Sequence, residues 1–186
     1  LYTRYGELES RIGCEMKSAG GVHLTARRFA SADNRRLFCH QLEISCEEGG
    51  VLELSTGING QITNSGVAHF DRMEARVFEH CRMFLECGCD DGQILSVMTV
   101  CSTGESRESA AFHLERRAVY QDFKKELQPG EVWTISKYTL FDVENRKESS
   151  GKTDGQVLVE MTDVLAEALK AGYGELNRRH RDAFER

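Results

Sequence analysis

Val51-Leu-Glu-Leu-Ser-Thr56-Gly57-Ile-Asn59-Gly60-Gln-Ile-Thr-Asn64-Ser-Gly66 carries a strand pattern into a turn, and an alternating run resumes soon after it. Leu52 and Leu54 alternate with Glu53 and Ser55, the period of a half-buried strand. The ten residues from Gly57 hold three glycines and two asparagines, together with a serine and a threonine. Gly and Asn reach positive φ cheaply, and Asn, Ser and Thr side chains bond back to the backbone, so this is a corner. Within it Asn59-Gly60 predicts a type I′ hairpin between the flanking strands.

The same period governs most of the chain. Gln93 to Ser102 places Ile94, Met98 and Val100 on one face and Leu95, Val97, Thr99 and Cys101 on the other. Both faces are largely apolar, which is the pattern of a central strand covered on two sides. Phe38 to Cys46 reads as a strand with one wet face, and Val132 to Thr139 alternates likewise. Further strands are expected at Tyr5 to Met16, Gly21 to Phe29, Val51 to Thr56, Met73 to Glu86 and Ala110 to Tyr120. Turn chemistry separates several of them: Ser31-Ala-Asp-Asn, Glu47-Glu-Gly-Gly, Cys89-Asp-Asp-Gly, Ser102-Thr-Gly-Glu-Ser and Gln128-Pro-Gly. Short strands at regular spacing imply a mainly β protein, an antiparallel sandwich or barrel.

After residue 143 the composition changes. Residues 144–156 are charged, poor in apolar side chains and tipped by glycine, the character of a loop or linker. From 157 onward Val157, Met161, Val164, Leu165, Ala168 and Leu169 recur at helical spacing, with Thr153 or Asp154 as N-cap. Gly172-Tyr-Gly interrupts the pattern, and a second helix follows with Tyr173, Leu176, His180, Ala183 and Phe184 on one side. The expected organisation is a β domain over 1–143, a charged loop over 144–156 and two helices over 157–186. The last helix has no stop signal and Leu1 is not an initiator methionine, so the chain reads as part of a longer protein.

The net charge of −6 argues against non-specific nucleic-acid binding, which needs a basic footprint. No run is apolar and long enough to span a membrane, and the first residues have no signal-peptide core. The seven cysteines are odd in number and lack the spacing of a disulfide framework, which fits reduced thiols in a cytoplasm. His80-Cys81 with Cys87-Gly-Cys89 supplies zinc-type ligands, but no second pair completes a site, so buried or incidental thiols are the reading taken.

No nucleophile elbow, phosphate-cradling Gly-Lys loop or His-Glu-x-x-His segment occurs. Asp90-Asp91 and Glu47-Glu48 are adjacent in turns, where such carboxylates point apart and stay solvated. His69 lies near the glycine-rich turn, and His180 on an apolar helix face reads as a hydrogen-bonded packing residue. Arg27-Arg28-Phe29-Ala30-Ser31 ends a strand with two guanidinium groups, which suits bonds to carbonyls or carboxylates at a sheet rim.

Four segments carry a resemblance to glycoside hydrolase family 65, the family of maltose, trehalose, kojibiose and nigerose phosphorylases. Leu8-Glu9-Ser-Arg11-Ile-Gly13 resembles its Leu-Asp-Met/Leu-Arg-x-Gly segment, with Glu9 in the aspartate position. Arg28-Phe29-Ala30-Ser31 resembles its Arg-Phe-Val/Ala-Ser strand end. Gly57 to Gly66 resembles its Gly-Leu/Ile-Asp/Asn-Gly-x-Val-x-Asn-x-Gly turn, the most specific of the four. Gly172-Tyr173 through His180 and Ala183-Phe184 resembles the start of its linker helices, with Phe184 where tryptophan is commoner.

The resemblance implies part of an antiparallel super-β-sandwich, galactose mutarotase-like, followed by two helices leading to an absent (α/α)6 barrel. It implies that the barrel holds the general acid and the phosphate site, so no catalytic, cofactor or metal residue is assigned here. Inorganic phosphate would be a co-substrate of the parent enzyme, which would invert an α-glucoside to β-glucose 1-phosphate. The expected role is a non-catalytic scaffold for the barrel of the same chain, with a homodimer as the expected assembly. Arg28, Asn59 and Asn64 are expected to hold turns and strand ends. Two alternatives are a carbohydrate-binding sandwich stacking sugars on Trp133, Tyr138 and Phe141, and a protein-interaction sandwich whose terminal helices cover its own core.

Overall fold

The structure is a computed structural model that describes residues 5–16, 19–63, 65–104, 111–145 and 154–185. In chain order the strands are β1 (Leu8–Met16), β2 (Gly20–Ala30), β3 (Leu37–Cys46), β4 (Gly50–Asn59), β5 (Phe70–Phe78), β6 (Arg82–Cys89), β7 (Gln93–Ser102), β8 (Ala111–Glu115), β9 (Ala118–Leu127) and β10 (Val132–Asn145), before helix α1 (Asp154–Phe184). They form a seven-stranded sheet of order β1-β2-β3-β10-β7-β6-β5 and a three-stranded sheet of order β4-β9-β8. The pairings are antiparallel, as the alternation of the sequence implies.

The molecule has three layers. β7, expected to be two-sided, lies inside the large sheet, with Met98 and Val100 in the core shared with α1 and Leu95 and Val97 lining the space between the sheets. On the outer face Phe29, Leu37, Cys39, Phe84, Tyr138 and Leu140 pack against Val157, Met161, Leu165, Ala168 and Leu176 of α1. Between the two sheets Ile44, Cys46, Trp133 and Ile135 meet Phe123 and Leu127 of β9. The Phe123 and Trp133 rings approach edge to face at 6.4 Å, a geometry the aromatic quadrupole favours.

Several local expectations are corrected. Asn59-Gly60 is not a hairpin: β4 pairs with β9, and the chain then crosses to the other sheet to begin β5. Neither residue has the positive φ of a type I′ turn. The glycines serve close approach instead. A Cβ on Gly57 would overlap the Val119 carbonyl oxygen, and one on Gly60 would lie 2.8 Å from Met73 Sδ and 2.9 Å from the Arg117 carbonyl oxygen.

The expected strand from Met73 to Glu86 is two strands, β5 and β6, folded back through a 3₁₀ turn at Glu79–Cys81. His80 and Cys81 take φ of 58° and 60°, left-handed values without the Gly or Asn that would announce them. The expected strand from Ala110 to Tyr120 is likewise the hairpin β8–β9, whose tip is Arg116-Arg117. Residue 110 and the rest of 105–110 lie outside the described residues, as do Asn64 and residues 146–153 with the candidate cap Thr153; of the charged loop expected over 144–156, residues 144–145 end β10 and 154–156 begin α1. In place of two helices there is one helical element from Asp154, in which Gly172 alone leaves helical geometry, at φ 76° and ψ 165°. Tyr173 and Gly174 stay helical, so the break is a kink.

Leu165 is fully buried in the helix–sheet layer, and Leu165→Ala should cost about 2–5 kcal/mol in urea unfolding. Gly57→Val should cost about 1–3 kcal/mol through backbone overlap with β9. Gly174→Ala, where an added Cβ meets nothing within 4 Å, should instead stabilise by about 0.5–1 kcal/mol. Equal costs for the two glycine changes would contradict the close-approach account.

Candidate functional site

Two places concentrate polar side chains that join one layer to another. The first lies where the end of α1 meets β1 and β2. His180 is fully buried and stacks on Phe29 with ring centroids 4.6 Å apart. Its Nδ1 accepts from the Ala32 N–H at 3.0 Å and its Nε2 faces the Tyr5 carbonyl oxygen at 2.6 Å. Those partners require the proton on Nε2, so the ring is neutral and acts as a strut, the packing role expected of it. Beside it Arg181 donates twice to Glu7, at 2.6 Å and 2.7 Å, and stands over the Tyr5 ring at 5.1 Å. Asn177 donates to the same carboxylate at 3.0 Å.

Arg27 spans two carboxylates, Glu9 at 2.9 Å and Glu43 at 2.8 Å, the rim role foreseen for the Arg27-Arg28 pair. Arg11 also holds Glu9, at 2.8 Å. Arg28 is different, because among the described residues its guanidinium has no hydrogen bond, so the strand-end role expected of it falls to Arg27. Together Glu7, Glu9, Arg27, Tyr173 and Arg181 line a polar recess of about 220 Å³. Each of its carboxylates is already bonded to arginine, which holds Glu7 and Glu9 below the ordinary carboxylate range. A general acid must be protonated near neutrality, and these two are pushed the other way. Arg36, from the loop between β2 and β3, adds a further clamp: it donates to Asp142 of β10 at 2.7 Å and to Glu160 of α1 at 2.6 Å.

The second place is the glycine-rich corner. Asn59 Oδ1 accepts from the Gln61 N–H at 2.8 Å, so Asn59 does hold its turn. The Gly60 N–H donates to the Arg117 carbonyl at 2.8 Å. Arg117 in turn donates to the Phe70 carbonyl at 2.9 Å and points Nε at Met73 Sδ at 3.2 Å, fixing the crossing from β4 to β5. From the opposite sheet Lys137 reaches over to donate to Thr56 Oγ1 at 3.1 Å and to the Gly57 carbonyl at 2.6 Å. Neither Arg117 nor Lys137 is singled out by sequence pattern. An arginine at a hairpin tip and a lysine in an alternating strand are ordinary until the other sheet is in place.

The remaining candidates are spread out. His69 pairs with Asp90 at 2.8 Å on the surface, and Asp91 accepts from the Gln93 N–H at 3.0 Å, so the neighbouring carboxylates do point to different partners. Among the described residues no group of His, Cys, Asp and Glu is arranged to hold a metal ion. Burial pushes the Cys39 thiol up to about 12 and the Cys87 thiol up to about 11, the range of inert structural cysteines. Trp133 and Tyr138 are buried, at 1% and 2% exposure, so neither offers a ring face to a sugar; Phe141 is exposed.

A family model described as "Glycosyl hydrolase family 65, N-terminal domain" matches residues 1–186. The chain belongs to that family. Within family 65, it is 23% identical over 163 residues to the kojibiose phosphorylase of Escherichia coli K12, covering 87% of this chain and 22% of that protein. It is 24% identical over 196 aligned residues to the kojibiose phosphorylase of Halothermothrix orenii, covering all of this chain and 25% of that protein. The chain thus spans about a quarter of the length of these relatives. A solved structure assigned as a kojibiose phosphorylase from the human microbiome shares the fold, with a TM-score of 0.86 over 98% of this chain and 23% of that one, at 14% identity. The super-sandwich architecture expected from the family-65 motifs is therefore present, with one kinked helix in place of two.

The Glu7–Arg181 contact sets a pH dependence. Hydrogen bonding to Arg181 is the largest influence on Glu7 and lowers it from its ordinary 4.5, against a smaller opposing effect of burial. A depressed carboxylate contributes stability that is complete above the unfolded-state value and is lost as pH falls through the folded-state value. Glu7→Gln should therefore lower the urea midpoint at pH 7 and flatten its decline below about pH 4.5. An unchanged acid limb in the variant would remove the ion pair from the account.

Proposed function

We propose that this chain is a non-catalytic domain of an inverting α-glucoside phosphorylase or hydrolase that acts on a glucose disaccharide. The observation that carries the reading is the match of the whole chain to an N-terminal domain model, combined with the share of about a quarter that it occupies in two kojibiose phosphorylases. The chemistry of the described residues supports it. The carboxylates of the polar recess are held ionised by arginine, and an inverting reaction needs a protonated acid on one side of the glycosidic bond. That acid, and the phosphate or water opposite it, would belong to an (α/α)6 barrel carried by the same polypeptide.

The domain's work is then mechanical: a rigid platform against which the barrel is held. Its ion-paired recess and the outer side of α1, where Val159 is 61% exposed, are the surfaces offered for that contact. A homodimer in a cytoplasmic enzyme, with inorganic phosphate as co-substrate, completes the proposal. One observation favours the interaction-module alternative: α1 covers the domain's own core, as that alternative expects. The burial of Trp133 and Tyr138 removes the stacking surface proposed for a sugar-binding sandwich.

At least one of kojibiose, maltose, trehalose and nigerose should be cleaved by the longer protein that contains this chain, to glucose 1-phosphate with phosphate or to glucose with water, and none by the 186-residue chain. Turnover by the chain alone would place a catalytic acid within these residues and overturn the scaffold reading. Absence of turnover by the longer protein in both phosphate and water would overturn the enzyme reading and leave the interaction module.

A further inference from the structure

The inner face of the large sheet carries an arrangement that a scaffold does not need. β2, β3 and β10 are neighbours, and their register sets Arg28 opposite His40 and His40 opposite Lys137. Residues opposed in this way lie on the same face, so three basic side chains form one row across the sheet. Beside the row is a cavity of about 410 Å³ between the two sheets, roofed by the Gly57 to Gly60 backbone. That volume falls within the range of small-molecule sites.

The walls are apolar: Phe38, Met73, Leu85 and Val97 line the interior, while Ile62 and Phe141, 67% and 42% exposed, stand at the mouth. Among the described residues no aspartate or glutamate lines the cavity. Lys137 and His40, which line it, therefore meet no carboxylate there, whereas Arg28 lies at the recess of Glu7 and Glu9. Lys137 uses two of its three donors, on Thr56 and Gly57, which leaves one. The Nε2 atom of His40 is buried and has no hydrogen-bond partner. Desolvation lowers the pKa of Lys137, and for His40 the same effect is reinforced by Lys137 and Arg28, both of its own sign. Folded proteins normally pair a cation withdrawn from water and satisfy a buried ring nitrogen. Here Lys137 keeps a donor unused and His40 keeps a buried Nε2 without a partner, and both residues line the same apolar space.

We propose that this cavity binds a small amphiphilic carboxylate, with its anionic head against Lys137 and His40 Nε2 and its apolar tail along Phe38, Leu85 and Val97 toward Ile62 and Phe141. The carboxylate supplies the counter-charge and the acceptor that the row lacks. The tail removes the walls and the exposed rim from water. Such binding is independent of glucoside turnover, because it uses only groups of this domain.

The test titrates carboxyl-labelled decanoate into the 186-residue chain below its micelle concentration, following the carboxyl carbon by NMR and the heat by calorimetry, with decanol as the neutral counterpart. Saturable binding at one site is expected, with decanol weaker by about tenfold or more because it cannot satisfy the cation. Lys137→Met should weaken decanoate by a similar factor and leave decanol unchanged. Equal affinities for decanoate and decanol in the unaltered protein would overturn the proposal without recourse to any variant. So would the absence of saturable binding, the result expected if another part of the polypeptide fills the cavity. For a Lys137→Met protein whose circular dichroism shows the native fold, unchanged decanoate affinity would also overturn it.

Discussion

The burial of one helical ridge against one sheet face is the constraint on which the rest of the structure depends. Val157, Met161, Leu165 and Ala168 are spaced so that they share a side of α1, and all are buried against the outer face of the large sheet. That face is apolar because β3, β7 and β10 place a hydrophobic residue on it at alternate positions: Leu37 and Cys39, Met98 and Val100, Tyr138 and Leu140. A seven-stranded sheet with one such face open to water would be an adhesive surface. With α1 in place, the sheet is covered on both sides over its centre, and its edges are left to β1 and β5.

Polar contacts then fix where the helix lies on that face. Dispersion and burial are nearly indifferent to sliding, whereas hydrogen bonds are not. His180 is held by a backbone donor at Ala32 and a backbone acceptor at Tyr5, so its two ring nitrogens register α1 against both the β2–β3 loop and the segment leading into β1. Arg36 does the same at the other half of the helix, through Asp142 and Glu160. The kink at Gly172 lets the two halves follow these separate anchors. On the opposite side Arg117 and Lys137 hold the small sheet to the large one around the Gly57 corner.

Much of this was legible in the chain before folding. The period of two in Gln93–Ser102 and Phe38–Cys46 marked those strands close to their observed ends, and the spacing from Val157 to Leu169 marked the helix. The glycine-rich stretch reads correctly as a corner, but its local pattern points to the wrong partner strand. Asn-Gly favours a tight hairpin through local backbone preference, but β4 is drawn to β9 by cross-strand pairing along its whole length, and the glycines answer to the crowding that this pairing creates. The turns at Glu79–Cys81 and Arg116-Arg117 were missed because their residues carry no turn chemistry. The surrounding sheets impose those conformations, and at His80 and Cys81 they do so against local preference.

By itself the sequence determined the kind of element at most positions, the absence of a basic footprint, and the motifs that tie the chain to its family. These properties are local: a period, a charge count or a short segment is complete within its own residues. Only the tertiary structure decided which strands share a sheet and that Arg27, and not Arg28, is the rim clamp. It alone placed Trp133 in the interior and gathered Arg28, His40 and Lys137 into one row beside an apolar cavity. Those outcomes join residues far apart in the chain, and the energy that selects them, burial together with the pairing of polar groups, exists only once the layers have met.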